Sequence, residues 1–138
     1  MTRMTEGSIA LIDLDMVATL VDKLENEKDE KILLQVHELL RQLMLVKGGT
    51  EKIVQIEEVG IERLCSFTQS KNWELRETTL KNLYSMSFNH AGKQLMLKRN
   101  CVLRILPLLL NDKVLAVQTA AALVVASLVQ LNDGKHQV

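Results

Sequence analysis

The sequence predicts an all-α chain made of three similar units, each with three helices. Long stretches are rich in Leu, Lys, Glu, Gln and Ala, which favour helix. Aromatic residues make up only 3% of the 138 residues, and one proline and six glycines supply too little turn chemistry for an all-β fold. The hydrophobic fraction of 47% is ample for one folded core, which excludes a disordered chain.

Evenly spaced glycines indicate the repeat. Gly7, Gly49, Gly92 and Gly134 lie 42, 43 and 42 residues apart, and the last two begin the similar words GKQ and GKH. Self-similarity at such a period is typical of proteins built from stacked helical repeats. The chain is therefore one domain with repeats at about residues 7–47, 48–90 and 91–131, and residues 132–138 start a further repeat.

Each unit contains a short, a medium and a long apolar segment. The short segments are LIDLD from Leu11, IVQIEE from Ile53 and LMLKRN from Leu95. The other two space their apolar residues so that they share one face of an α-helix. The medium helices carry Val17, Leu20, Val21 and Leu24, then Ile61, Leu64, Cys65 and Thr68, then Val102, Ile105, Leu106 and Leu109. The long helices carry Ile32, Val36, Leu40 and Leu43, then Leu75, Thr79, Leu83 and Met86, then Val117, Ala121, Val125 and Leu128.

A polar break separates each medium helix from the long helix that follows. The breaks are NEKDE at Asn26, SKN at Ser70 and NDK at Asn111. Their Asn and Ser side chains can cap the long helices. No unit has enough apolar contacts to be stable alone, so neighbouring units are expected to stack and share a core.

The third unit resembles the armadillo repeat over the segments GKQLMLKRNCVLRIL and LLLNDKVLAVQTAAALVVASL. The resemblance implies a right-handed α-solenoid of three armadillo-like three-helix repeats with incomplete ends, and HEAT repeats are a neighbouring possibility. It also implies a non-enzymatic scaffold for protein–protein interaction. The positions that match the family pattern most closely are Val117, Gln118, Ala121 and Ala122.

The sequence bears on two narrower functions of armadillo proteins. Importin-like members carry a ladder of asparagines, but the corresponding positions here are Gln42, Ser85 and Ser127, which argues against nuclear import. The order of features from Gly7 through LVDKL, GKQ and ILPLLLND to the closing GK is similar to the armadillo proteins of the ciliary radial spoke. The expected location is the cytoplasm, and the similarity implies, more narrowly, a structural component of the ciliary axoneme.

The long helices of such an array would line a groove, whose polar residues form a candidate protein-binding site. These residues are mixed in charge and would hold an extended segment by polar contacts across several helices. The alternative is an ordinary solvated face. The candidate groove residues are Glu38, Gln42, Lys81, Asn82, Ser85 and Ser127.

Other classes of function lack candidate residues. Seventeen acidic residues balance seventeen basic ones, so we expect no nucleic-acid or membrane partner. His37, His90 and His136 have no companions at metal-ligand spacing, and no catalytic or cofactor site is expected. Cys65 and Cys101 lie in apolar helices and should be buried, reduced thiols.

The pattern of the array starts and stops within a unit. We therefore expect a fragment or short isoform of a longer array, or a protein neighbour that covers an end. Two alternatives to the scaffold stay open: an adaptor for short linear motifs in a transport pathway, and a compact regulatory helical bundle. Exposure of Leu128 would favour the solenoid, and its burial the bundle.

Overall fold

The computed structural model describes residues 14–45 and 58–137, and these ranges form seven α-helices and no strand. The all-helical prediction is therefore confirmed for these ranges. A short 3₁₀ turn, Phe67–Gln69, extends the third helix. The helices are α1 Leu14–Asn26, α2 Glu30–Leu45, α3 Glu58–Ser66, α4 Trp73–Met86, α5 His90–Lys98, α6 Cys101–Asn111 and α7 Leu115–Gln137.

The long helices α2, α4 and α7 recur at the spacing that the glycines indicate. Their first residues, Glu30, Trp73 and Leu115, lie 43 and 42 positions apart. Each of the three follows a shorter helix, α1, α3 or α6. The short helix predicted from Leu95 is present as the second half of α5, while the one predicted from Ile53 lies almost wholly outside the described residues.

The long helices also pack on one another in chain order. Helix α4 contacts both α2 and α7, and among the shorter helices α1 contacts α3. Helix α6 packs on α7 and on the 3₁₀ turn, and α5 packs on α3 and α6. One continuous core runs between these layers, from Leu24 and Leu40 through Leu64, Leu83 and Ile105 to Leu128.

The predicted apolar faces are largely those that the structure buries. In α4 all four predicted positions, Leu75, Thr79, Leu83 and Met86, are buried. In α2 the prediction was wrong at Ile32, which is 42% exposed, because it lies in the first turn at the edge of the apolar stripe and Leu33 takes the inner position. In the third unit Val102, Leu106, Leu109 and Val125 are only half-buried.

An aspartate or asparagine side chain lies just before each long helix, and at α2 and α4 it caps the helix. Asn72 caps α4, as the SKN break predicts, by accepting a hydrogen bond from the Glu74 backbone N–H at 2.8 Å. The other two breaks use a different residue. Asp29 accepts from the Lys31 N–H at 2.9 Å and Asp112 from the Val114 N–H at 2.9 Å. An aspartate next to a helix N-terminus also interacts favourably with the helix dipole.

The helices after residue 90 turn at Asn100 but not at Gly134. Asn100, between α5 and α6, has φ 57° and ψ 38°, a left-handed conformation that asparagine tolerates better than most residues. Helix α7 then continues to Gln137 through Gly134, where the sequence predicts a new repeat. A single glycine costs a helix only about 1 kcal/mol, so without a proline it does not stop a helix.

Polar contacts join residues about one repeat apart. Arg104 makes two hydrogen bonds to the Glu62 carboxylate, at 2.6 and 3.0 Å, and these residues are 42 positions apart. The Asn72 amide donates to Glu30 at 3.2 Å, again 42 positions away. These contacts join α6 to α3 and the start of α4 to the start of α2.

A buried polar pair lies between α2 and α4. The Asn82 amide nitrogen donates to the His37 backbone carbonyl and to His37 Nδ1, both at 3.1 Å. Nδ1 is then an acceptor, so the imidazole is neutral with its proton on Nε2. Burial, with the nearby charges of Arg41 and Arg63, lowers the pKa of His37 from 6.5 to about 4. The folded chain therefore resists protonation of this histidine.

This lowered pKa predicts a loss of stability in mild acid. Below pH 6.5 the unfolded chain takes up a proton at His37 that the folded chain does not, so stability is full above that pH and falls until about pH 4. The loss should reach ~2–3 kcal/mol at pH 4.5. Urea unfolding at pH 7.5 and 4.5 measures it.

His37→Gln and His90→Gln are the matched variants, because His37 is buried and His90 is exposed. His37→Gln should lower stability at pH 7.5 but lose ~2–3 kcal/mol less than the natural chain on acidification. His90→Gln should keep the full acid loss. An equal acid loss in both variants would contradict the assignment to His37.

Candidate protein-binding surface

The structure divides the six predicted groove residues into two groups. Gln42 and Lys81 are exposed, and Glu38 and Ser85 are half-buried on the long helices. Asn82 and Ser127 are buried, so their assignment to an exposed groove is wrong. Of the six predicted residues, a ligand on this face could therefore contact only the two exposed and the two half-buried ones.

Asn82 is buried because it lies on the inner face of α4. It is three residues after Thr79 and four before Met86, which are both buried core positions. Its amide is used by His37 rather than by a ligand. The helical spacing around Asn82 predicts a position on the buried face of α4, whereas its polar side chain suggested a position on the surface.

Ser127 is buried because α4, α5 and α7 meet around it. Its hydroxyl lies 2.6 Å from the Ser87 hydroxyl, and its backbone carbonyl accepts from the Lys93 ammonium at 2.9 Å. Lys93 is itself buried, and this desolvation lowers its pKa. Nothing in the spacing of Lys93 predicted a buried ammonium.

The charges that remain on this face are balanced within their own helices. Arg41 forms an ion pair with Glu38, and Lys81 lies 3.6 Å from Glu77. Such exposed pairs contribute less than about 1 kcal/mol each. Each pair combines one acidic and one basic side chain, so neither pair adds net charge to this face.

A cleft opens at the C-terminal ends of α2 and α4, next to Ser85. Its volume is about 550 Å³, within the range typical of ligand sites. Leu45 and Phe88 are 78% and 70% exposed there, and the Tyr84 ring packs edge-on against Phe88 with 4.9 Å between ring centroids. The residues that line the cleft are Met44, Leu45, Tyr84, Ser85, Phe88, Asn89 and His90.

The turn that carries Phe88 is held by hydrogen bonds on both sides. The Phe88 N–H donates to the Ser85 carbonyl at 3.3 Å, and the Asn89 N–H donates to the Met86 carbonyl at 3.1 Å. Asn89 then caps α5 by accepting from the Gly92 N–H at 2.8 Å. The aromatic wall of the cleft is therefore fixed by the end of one helix and the start of the next.

The cleft combines apolar walls with a few polar groups. Leu45, Tyr84 and Phe88 offer surface to an apolar side chain, while Ser85 and His90 offer hydrogen-bonding groups. Sequence reasoning found Ser85 but missed Leu45 and Phe88. Phe88 lies in the SFNH break, outside any helical face, and an aromatic residue in a turn is the signal that could have indicated it.

A second apolar surface lies on α6 and α7. Leu103, Leu110 and Leu115 are each about two-thirds exposed or more. Leu128, proposed as the test of an open end, is instead fully buried. Leu128 lies on the face of α7 that joins the common core, and by the criterion set from the sequence its burial favours the compact bundle.

Residues 14–45 and 58–137 offer neither a metal site nor a membrane-spanning helix. No three His, Cys, Asp or Glu side chains come close enough together there to hold a metal ion. No helix in these ranges is both long enough and apolar enough to cross a membrane.

In comparisons with known proteins, no protein-family model matches the chain, and neither a curated protein nor a solved structure does.

Proposed function

We propose that the chain is a non-enzymatic scaffold of the armadillo type, which binds an extended segment of a partner protein at the cleft between α2 and α4. The exposure of Leu45 and Phe88 around a cleft of about 550 Å³ is the observation that carries this proposal. Exposed aromatic and aliphatic side chains grouped in one concavity are typical of protein-binding surfaces.

The solenoid arrangement is part of the same proposal. It is supported by long helices that pack in chain order and by polar contacts between residues 42 positions apart. In this arrangement each unit repeats the interface of the previous one, and the ends of the long helices form a row. The cleft lies where two members of that row, α2 and α4, end side by side.

The chemistry of the cleft restricts the partner segment. Because the nearby charges are paired as Glu38 with Arg41 and Glu77 with Lys81, a segment of low net charge fits better than a basic or acidic one. An aliphatic or aromatic side chain would occupy the space beside Phe88. Backbone groups of the segment would find donors and acceptors at Ser85 and His90.

The similarity to armadillo proteins of the radial spoke supports a narrower version, a scaffold of the ciliary axoneme. Affinity purification from ciliated and non-ciliated cells checks it, and axonemal proteins should accompany the chain only from the ciliated cells. Their absence from both preparations would remove this version and leave the peptide-binding proposal in place.

Burial of Leu128 favours the alternative of a compact helical bundle, and small-angle X-ray scattering decides between the two shapes. A compact chain of this length should have a radius of gyration of about 14 Å. We expect a larger value and a scattering profile typical of an elongated particle. A compact radius, with a symmetric distance distribution, would contradict the solenoid.

Substitution at Phe88 tests the binding site. Linear peptides selected from a random library on the natural chain should contain apolar residues and bind the Phe88→Ser variant at least ~10-fold more weakly, because a buried aromatic anchor would be lost. Fluorescence polarisation with labelled peptides measures the affinities.

Leu110→Ser is the matched control, since Leu110 is 68% exposed on α6, outside the residues that line the cleft. It should leave peptide affinity unchanged. Selection of no peptide, or equal loss in both variants, would contradict binding at the cleft.

A further inference from the structure

Two cysteines from different helices lie in contact inside the core. Cys65 is near the end of α3, and Cys101 is the first residue of α6. Their Sγ atoms are 2.6 Å apart, and the side chains are 1% and 0% exposed. Both are free thiols, and they are the only two cysteines among the 138 residues. An oxidised chain therefore has a single possible internal pairing.

We propose that Cys65 and Cys101 are a redox modification site, at which a small neutral peroxide converts the two thiols into a reversible disulfide that joins α3 to α6. A disulfide needs its sulfur atoms about 2.05 Å apart, so the two Sγ atoms need to approach by only about half an ångström. The oxidant has to be small and uncharged because both sulfurs are buried in the apolar core.

The two thiols have different roles because their surroundings differ. The hydrogen bond from the Cys101 S–H and the nearby Arg104 guanidinium lower the pKa of Cys65, although burial opposes this. The same hydrogen bond, together with burial, raises the pKa of Cys101. Cys65 is thus the better nucleophile, since the thiolate is the reactive form.

The reaction balances with hydrogen peroxide as the oxidant. The Cys65 thiolate attacks one peroxide oxygen, the O–O bond breaks, and the released hydroxide takes up a proton as water, leaving a sulfenic acid on Cys65. Cys101 sulfur then attacks Cys65 sulfur, and the sulfenic hydroxyl leaves with the Cys101 proton as a second water. Two thiols lose two electrons in total, and a dithiol reductant restores them.

The disulfide would fix the distance between α3 and α6. Helices α3 and α6 hold matching places in the second and third units, and Arg104 on α6 already pairs with Glu62 on α3. The covalent bond would close a loop between positions 36 residues apart and restrict the unfolded chain. The oxidised chain should therefore unfold at a temperature roughly 10 °C higher than the reduced chain.

Hydrogen peroxide titration of the full chain tests the proposal. After treatment, intact-mass spectrometry should show a monomer lighter by two hydrogens, and proteolysis should yield a Cys65–Cys101 cross-linked peptide. Dithiothreitol should restore the original mass and melting temperature. Addition of oxygen to either cysteine without a cross-link, a disulfide between two chains, or no change would overturn the proposal.

Cys65→Ala and Cys101→Ala are the matched variants, and circular dichroism confirms that each is folded. With Cys101→Ala the reaction should stop at oxygen addition to Cys65, because the second sulfur is missing. With Cys65→Ala the remaining Cys101 should react more slowly than Cys65 does in the Cys101→Ala variant, because only Cys65 has the Arg104 guanidinium within hydrogen-bonding reach. Faster oxidation of Cys101 than of Cys65 in these variants would overturn the assigned roles.

Discussion

The structure depends on the burial of α4 between the other two long helices, α2 and α7. Leu75, Leu80, Leu83 and Met86 are almost completely buried along it. The buried positions form one broad face of the helix, which α2 and α7 cover together, so α4 would be unstable without both neighbours. Each fully buried leucine contributes about 1.5–3 kcal/mol, and the interface therefore outweighs the polar contacts around it.

Polar groups inside this interface restrict how the helices can slide. Asn82 bonds to His37 between α2 and α4, and Ser87 bonds to Ser127 where α4 meets α7. A shift of one helical turn would bury these groups without partners, at a cost of about 1–3 kcal/mol for each group. Apolar packing thus supplies the attraction between the long helices, and these polar pairs select one alignment.

Part of this interface was predictable because its apolar residues recur in the sequence with the period of a helix. The four apolar positions of α4 and the recurring starts of the long helices follow from spacing alone. Ile32 was misplaced because spacing defines a face only to within one residue at the first turn of a helix.

The candidate site was harder to predict because polarity and spacing gave opposite indications. Asn82 and Ser127 looked like surface residues, yet each hydrogen-bonds within the core. Phe88 lies in a turn, where helical periodicity has no meaning. The contact between Cys65 and Cys101 depends on how α3 and α6 pack together, and no local sequence motif predicts that packing.

Lys93 connects the interior of the third unit to the cleft. Its ammonium holds the middle of α7 through the Ser127 carbonyl, while α5, on which it lies, starts at the Asn89 cap beside Phe88. A displacement of α7 would therefore be transmitted along α5 to the aromatic wall.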